Sequence, residues 1–133
     1  MKLLLDTHTF IWTVLNTRRL PKAALEAIQN ENNDVYVSSV SYWEISIKSR
    51  LGKIDLYNLT TSDLIPSATE MGFISIGLLP DEAVSQDGLL ENTHFDPFDR
   101  MLIWQAIQRN FVLVSRDPKF SKFQKFGLKL LWK

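Results

Sequence analysis

Four short runs of the chain are apolar without helical periodicity: "KLLL" at 2–5, "VYVS" at 35–38, "FISI" at 73–76 and "FVLV" at 111–114. Runs of this length, rich in Leu, Val and Ile, predict strands buried on both faces. A fifth strand is expected at "LKLLW" near the end of the chain. Stretches with helical spacing lie between them, at roughly 7–15, 21–31, 39–51, 60–71, 80–90 and 97–109. Strand alternating with helix calls for crossover connections. The pattern therefore predicts an α/β fold with a mainly parallel sheet of four or five strands and helices on both faces. In such sheets ligands bind beyond the carboxyl ends of the strands, so the residues directly after each run matter most.

Those residues are acidic. Asp6 follows "LLL" at once, and Asp117 follows "FVLVSR" and precedes Pro118. Glu44 falls in the first turns of the helix after "VYVSS", and Asp99 in the first turn of the helix that leads to "FVLV". A crossover helix starts near the carboxyl edge of the sheet, which brings Glu44 and Asp99 to the same side as Asp6 and Asp117.

Each acid also has a purely structural reading. Ser41 with Glu44, and Asp96 with Asp99, have the three-residue spacing of capping boxes. Asp6 and Asp117 stand where N-caps stand, and Pro97 suits a first helical position. The two readings are compatible. Two carboxylates about 4 Å apart repel by on the order of 4 kcal/mol at an effective dielectric near 20. A divalent cation removes that cost, and helix N-termini keep the acids ionised, which a hard cation requires.

Composition narrows the chemistry. The chain of 133 residues, 45% hydrophobic and 23% charged, is expected to form one domain over 1–133. It has no cysteine, which removes thiol nucleophiles, disulfides and cysteine-held zinc, and fits a cytoplasmic setting. The start "MKLLLDTH" is too short an apolar run for a signal peptide, and no stretch reaches membrane-spanning length. With only His8 and His94 available, the oxygen-rich set points to Mg2+ or Mn2+ rather than zinc. Asp6 and Asp99 are the expected direct ligands, with Glu44 and Asp117 acting partly through water. An ion so held lowers the pKa of a bound water and orients it towards a phosphodiester, which makes phosphodiester hydrolysis the implied reaction.

Charge is unevenly spread. Residues 1–99 hold 7 Lys or Arg against 14 acids, whereas residues 100–133 hold 8 against a single acid, Asp117. An acidic pocket beside a basic surface suits a polyanion brought to a cation; a solvated basic face is the plainer alternative. Lys48, Arg100, Arg116, Lys119 and Lys122 are the candidates for binding that polyanion. Thr7, Asp96 and Ser115 are expected to support the acids, with Asp96 chiefly a cap. His94 reads as a hydrogen-bonding partner. Trp12, Trp43, Phe10 and Tyr42 read as core or dimer packing before base stacking.

With these residues assembled, the chain resembles the PIN-domain ribonucleases of the VapC type, the toxins of prokaryotic toxin-antitoxin pairs. The matching stretches are "LLLDTHTFIW" at 3–12, "SSVSYWEISIKSRLGK" at 38–53, "HFDPFDRMLIWQA" at 94–106 and "LVSRDPKF" at 113–120. By that resemblance Asp6, Glu44, Asp99 and Asp117 take the places of the family's acidic cluster. The resemblance implies a three-layer α/β/α sandwich, divalent-metal-dependent cleavage of RNA, a homodimer, and a cognate antitoxin protein that covers the site. Two positions depart from the family pattern, Phe95 where arginine is common and Trp104 where alanine is common.

Other metal-using α/β classes fit less well. A phosphoacceptor receiver needs paired acids after an early strand, but Thr7 follows Asp6. A haloacid-dehalogenase-like phosphatase needs an aspartate where His8 stands. Neither G-x-x-x-x-G-K nor G-x-G-x-x-G occurs. A non-catalytic RNA-binding or regulatory module of the same shape is the alternative that remains.

Overall fold

The computed structural model describes residues 1–133. Five strands form one sheet: β1 (Lys2–Leu5), β2 (Asp34–Ser38), β3 (Ile74–Ile76), β4 (Val112–Val114) and β5 (Lys129–Leu131). Their spatial order is β3-β2-β1-β4-β5 and every pairing is parallel. The helices are α1 (Thr7–Leu15), α2 (Lys22–Gln29), α3 (Ser39–Arg50), α4 (Leu64–Glu70), α5 (Pro80–Ser85) and α6 (Pro97–Arg109), with a 3₁₀ segment over Pro118–Phe126.

The strands alternate their side chains between two cores. Leu3, Leu5, Val35, Val37 and Val114 pack with Phe10 of α1 and Ile45 of α3 on one face. Leu4 and Leu113 pack with Leu102 and Ile103 of α6 and with Phe120 and Phe123 on the other. The result is the expected three-layer α/β/α sandwich. Leu3, Leu4 and Leu5 are all 0% exposed, as a central strand covered on both faces demands.

Three expectations are corrected. The run at 73–76 is not a buried strand: β3 lies at the sheet's edge and Ile74 is 44% exposed, while Phe73 just before it is core and Ile76 packs partly buried against the other core. The helix expected over 60–71 divides into a short 3₁₀ turn and α4, which its own cap starts at Thr60. The helix expected over 80–90 ends at Ser85 and continues as a 3₁₀ turn over Gln86–Gly88.

The strand order fixes the place of the site. From β1 the chain winds outward through β2 to β3, then returns to build β4 and β5 on the other side of β1. The crossovers after β1 and β4 thus diverge, and a crevice opens beyond the carboxyl ends of these two strands.

Candidate functional site

Asp6 stands where β1 becomes α1 with no loop between. Its backbone N–H donates to the Val114 carbonyl at 3.1 Å, extending the β1–β4 ladder. Its carboxylate accepts from the Thr9 N–H at 2.8 Å as the N-cap of α1. The Thr9 hydroxyl donates to the Val114 carbonyl at 3.0 Å and ties the first turn to β4. Burial pushes the Asp6 pKa above the usual carboxylate range, against hydrogen bonds from Ser115 and Thr9.

Glu44 is placed differently from its sequence reading. Ser38, not Ser41, caps α3 by accepting from the Val40 N–H at 3.1 Å, so the expected Ser41–Glu44 capping box does not form. Starting the helix earlier leaves Ser41 and Glu44 on its buried face. Glu44 is 2% exposed. Its Oε1 accepts from the Thr7 hydroxyl at 2.6 Å, a hydroxyl also 3.1 Å from Ser41 Oγ, and its Oε2 pairs with Lys48 Nζ one turn further on. Burial disfavours the Lys48 charge, but Glu44, helped by Asp96 and Asp99, outweighs it and raises the lysine's pKa. Lys48, an RNA candidate, is therefore the counter-ion of an acid.

At α6, Asp96 is the N-cap, accepting from the Asp99 N–H at 2.9 Å, with Pro97 the first helical residue. The other half of this capping box is missing, because the Asp99 carboxylate turns to His94, 2.9 Å from Nε2. His94 is buried with its ring edge-on to Phe120 and Phe123. Burial, with repulsion from Asp96 and Glu44, pushes Asp99 up to about 6 despite the His94 hydrogen bond.

Arg100, an RNA candidate, clamps a loop in this structure. Its guanidinium donates to the carbonyls of Leu89 at 2.8 Å, Glu91 at 2.6 Å and His94 at 3.0 Å. It thereby holds the loop that carries His94.

Asp117 caps the 3₁₀ segment, accepting from the Lys119 N–H at 2.9 Å, and its own N–H donates to Ser115 Oγ at 3.1 Å. Ser115 thus links the segments of Asp6 and Asp117 from below. Asp6, Glu44, Asp99 and Asp117, with Thr7 and Asp96, line one cavity of about 400 Å³ at the β1–β4 crevice; Arg116 also borders it. A neighbouring cavity of about 530 Å³ shares Asp96, Asp99 and Asp117 with the first and adds Lys119, Lys122 and the 82% exposed Phe95. Lys122 is partly engaged, donating to the Thr93 hydroxyl at 2.8 Å and lying 3.7 Å from Glu91.

The aromatic residues divide. Phe10 is core, and Tyr42 packs against that core edge-on to Phe10. Trp43 is 59% exposed, edge-on to Phe98, so the core reading fails for it. Trp12 is half-buried and borders the acidic cavity together with His8. That placement was missed in the sequence, although the four-residue spacing of His8 and Trp12 in a helix that begins beside Asp6 puts both on one face. Trp104, the second departure, donates from Nε1 to Ser85 Oγ at 3.0 Å and fastens α6 to α5.

The donor set fits a hard divalent cation. It is all oxygen, gathered from four separate chain segments, and burial and crowding leave Asp6 and Asp99 short of positive charge. No three His, Asp or Glu side chains are grouped as a ready-made ligand cage. Magnesium does not require one, since it takes one or two carboxylates and keeps waters.

A family model described as PIN domain matches residues 3–125 of the chain. Ribonuclease VapC22 of Mycobacterium tuberculosis is 28% identical over 116 residues, which cover 87% of each chain. Among solved structures, VapBC2 from Rickettsia felis bound to a DNA fragment from their promoter aligns over 100% of both chains with a TM-score of 0.69 and 17% identity. VapBC-1 from nontypeable Haemophilus influenzae aligns over 98% of this chain and 97% of that one, with a TM-score of 0.66 and 17% identity. At those identities the two structures bear on the fold alone.

Proposed function

The chain belongs to the PIN-domain family, and from that premise we propose that it is a divalent-metal-dependent endoribonuclease, the toxin of a toxin-antitoxin pair. The observation that carries this reading is the meeting of Asp6, Glu44, Asp99 and Asp117 around one cavity at the β1–β4 crevice. The similarity to Ribonuclease VapC22 supports RNA as the substrate.

In this reading Asp6 and Asp99 would hold Mg2+ or Mn2+, with Glu44 and Asp117 assisting. A bound ion there supplies Lewis acidity and a water of lowered pKa. The chain's own residues do the rest. Thr7 and Lys48 fix the Glu44 carboxylate, His94 aims Asp99, and Ser115 sets the spacing between Asp6 and Asp117. Lys119 and Lys122 receive the RNA backbone where their cavity adjoins the acids.

The protein works as one domain over 1–133, as a homodimer in the cytoplasm, with a cognate antitoxin protein as its partner. No helix is long and apolar enough to cross a membrane.

The test is cleavage of total cellular RNA by the purified protein with Mn2+ and with excess chelator, followed by mapping of new ends. Mn2+-dependent ends that Asp6→Asn abolishes are expected, with circular dichroism unchanged by chelator. Cleavage that continues in chelator would refute the reading.

A further inference from the structure

The acidic cavity continues on the side away from Lys119 and Lys122. There it shares His8 and Trp12 with a further cavity of about 230 Å³, which Arg19, Lys53 and Tyr57 also border. We propose that this second arm is a nucleotide subsite, which seats the RNA strand on the far side of the scissile phosphate. The proposal rests on the nuclease reading above and extends it to the path of the strand.

Three observations carry it. The first is continuity: the three cavities join end to end, with the four acids in the middle and cations at both ends. A strand lying along them places an internal phosphate over the acids.

The second is unspent charge. Arg19, Lys53 and Arg116 are all exposed, and none makes an ion pair or side-chain hydrogen bond within the chain. Asp55, the one acid bordering this arm, already accepts the Tyr57 N–H at 2.7 Å. By contrast, Lys48 is committed to Glu44 and Arg100 to its loop.

The third is preorganisation. Trp12 carries the Arg19 guanidinium 5.5 Å from its ring centroid and that of Arg116 at 5.8 Å. A guanidinium resting on an aromatic ring keeps its in-plane N–H donors free for phosphate. His8, 5.8 Å from Trp12 and tilted to it by 49°, adds an exposed ring beside that platform. Aromatic rings and guanidinium planes are the surfaces on which single-stranded bases stack, without regard to sequence.

The test uses a fluorescein-labelled, unstructured 12-nucleotide RNA and anisotropy titrations in chelator over a range of salt. Arg19→Ala/Lys53→Ala should bind about tenfold more weakly and show a log–log salt slope flatter by about 1.4, from roughly 0.7 for each phosphate no longer neutralised. Trp12→Ala should lose about tenfold and Trp12→Phe should keep most of the affinity, because a smaller ring still stacks. Wild-type affinity and slope in the double variant would overturn the proposal. So would unchanged RNA affinity with an altered oligomeric state in light scattering, which would assign the arm to a protein contact. The same RNA scored for Mn2+-dependent cleavage separates the two claims. Cleavage that Asp6→Asn abolishes, with no effect of the double variant, removes the subsite alone. Weaker binding by the double variant, with no cleavage by wild type, removes the nuclease reading and leaves the strand path.

Discussion

Two acids of this molecule, the buried Glu82 and the half-buried Asp99, have opposite surroundings. Glu82 on α5 accepts from the Leu79 N–H at 3.0 Å, from Gln105 at 3.0 Å and from Arg109 at 2.7 and 2.8 Å. Burial works against its charge, but the arginine and these hydrogen bonds outweigh it and bring its pKa down to about 2. Asp99 on α6 has His94 for a partner and two acids for neighbours, and stands at about 6. In one place the chain supplies its own cation and uses the pair to lock α5 to α6. In the other it gathers negative charge and supplies too little. A carboxylate cluster left short of charge within a well-satisfied structure costs stability and marks a candidate functional site.

The sharpest way to break the comparison is Asp99→Asn. Loss of a supporting partner at a metal site costs roughly 10–100-fold, so loss of a ligand should lower RNA cleavage by more than about 100-fold. The metal-free variant should nevertheless be more stable than wild type, by about 1 kcal/mol in urea unfolding, because one repelling charge is gone. Glu82→Ala should do the reverse. Leaving Arg109 and Gln105 without their acid should cost roughly 3 kcal/mol in the same urea assay, with cleavage per folded molecule little changed.

The smallest effect is in the pH profile, and its two arms have opposite signs. A carboxyl raised from 3.8 to about 6 disfavours the metal-free fold at neutral pH, and that cost is relieved as pH falls from about 6 towards 3.8. Glu82, lowered from 4.5 to about 2, contributes stability that is fully present above pH 4.5 and is lost as pH falls towards 2. Melting temperature in chelator should therefore rise from pH 7 to about 5 and fall below about 4.5. Saturating Mn2+ should remove the rise and leave the fall, each arm being on the order of 1 kcal/mol.

Local chemistry was the legible part of the sequence. α1 and α6 begin at the residues their caps and prolines indicate, because Asp6, Asp96 and Pro97 act within one turn of themselves. Asp117 caps as expected for the same reason. The Ser41–Glu44 box misled because Ser38 offers an equally good cap one turn earlier, and burial of Val40 and Ile45 decides between them. β3 misled because its short, mostly apolar run looks like that of a central strand, while edge position is set by the order of the whole sheet. The work of Arg100 was invisible for another reason. Its three acceptors are backbone carbonyls, which every residue has. The Glu82 network joins Ser38, Gly77, Glu82, Gln105 and Arg109 across long chain separations, and no spacing rule reaches that far.

The strand-to-helix junction at Asp6 has a consequence for control. With no loop between β1 and α1, and with its amide in the central ladder, the Asp6 backbone cannot shift unless the middle of the sheet opens, and its carboxylate is further held by the cap bond from the Thr9 N–H. A centre on so fixed a frame lends itself to control by covering its opening, and uncovering it would leave nothing to refold.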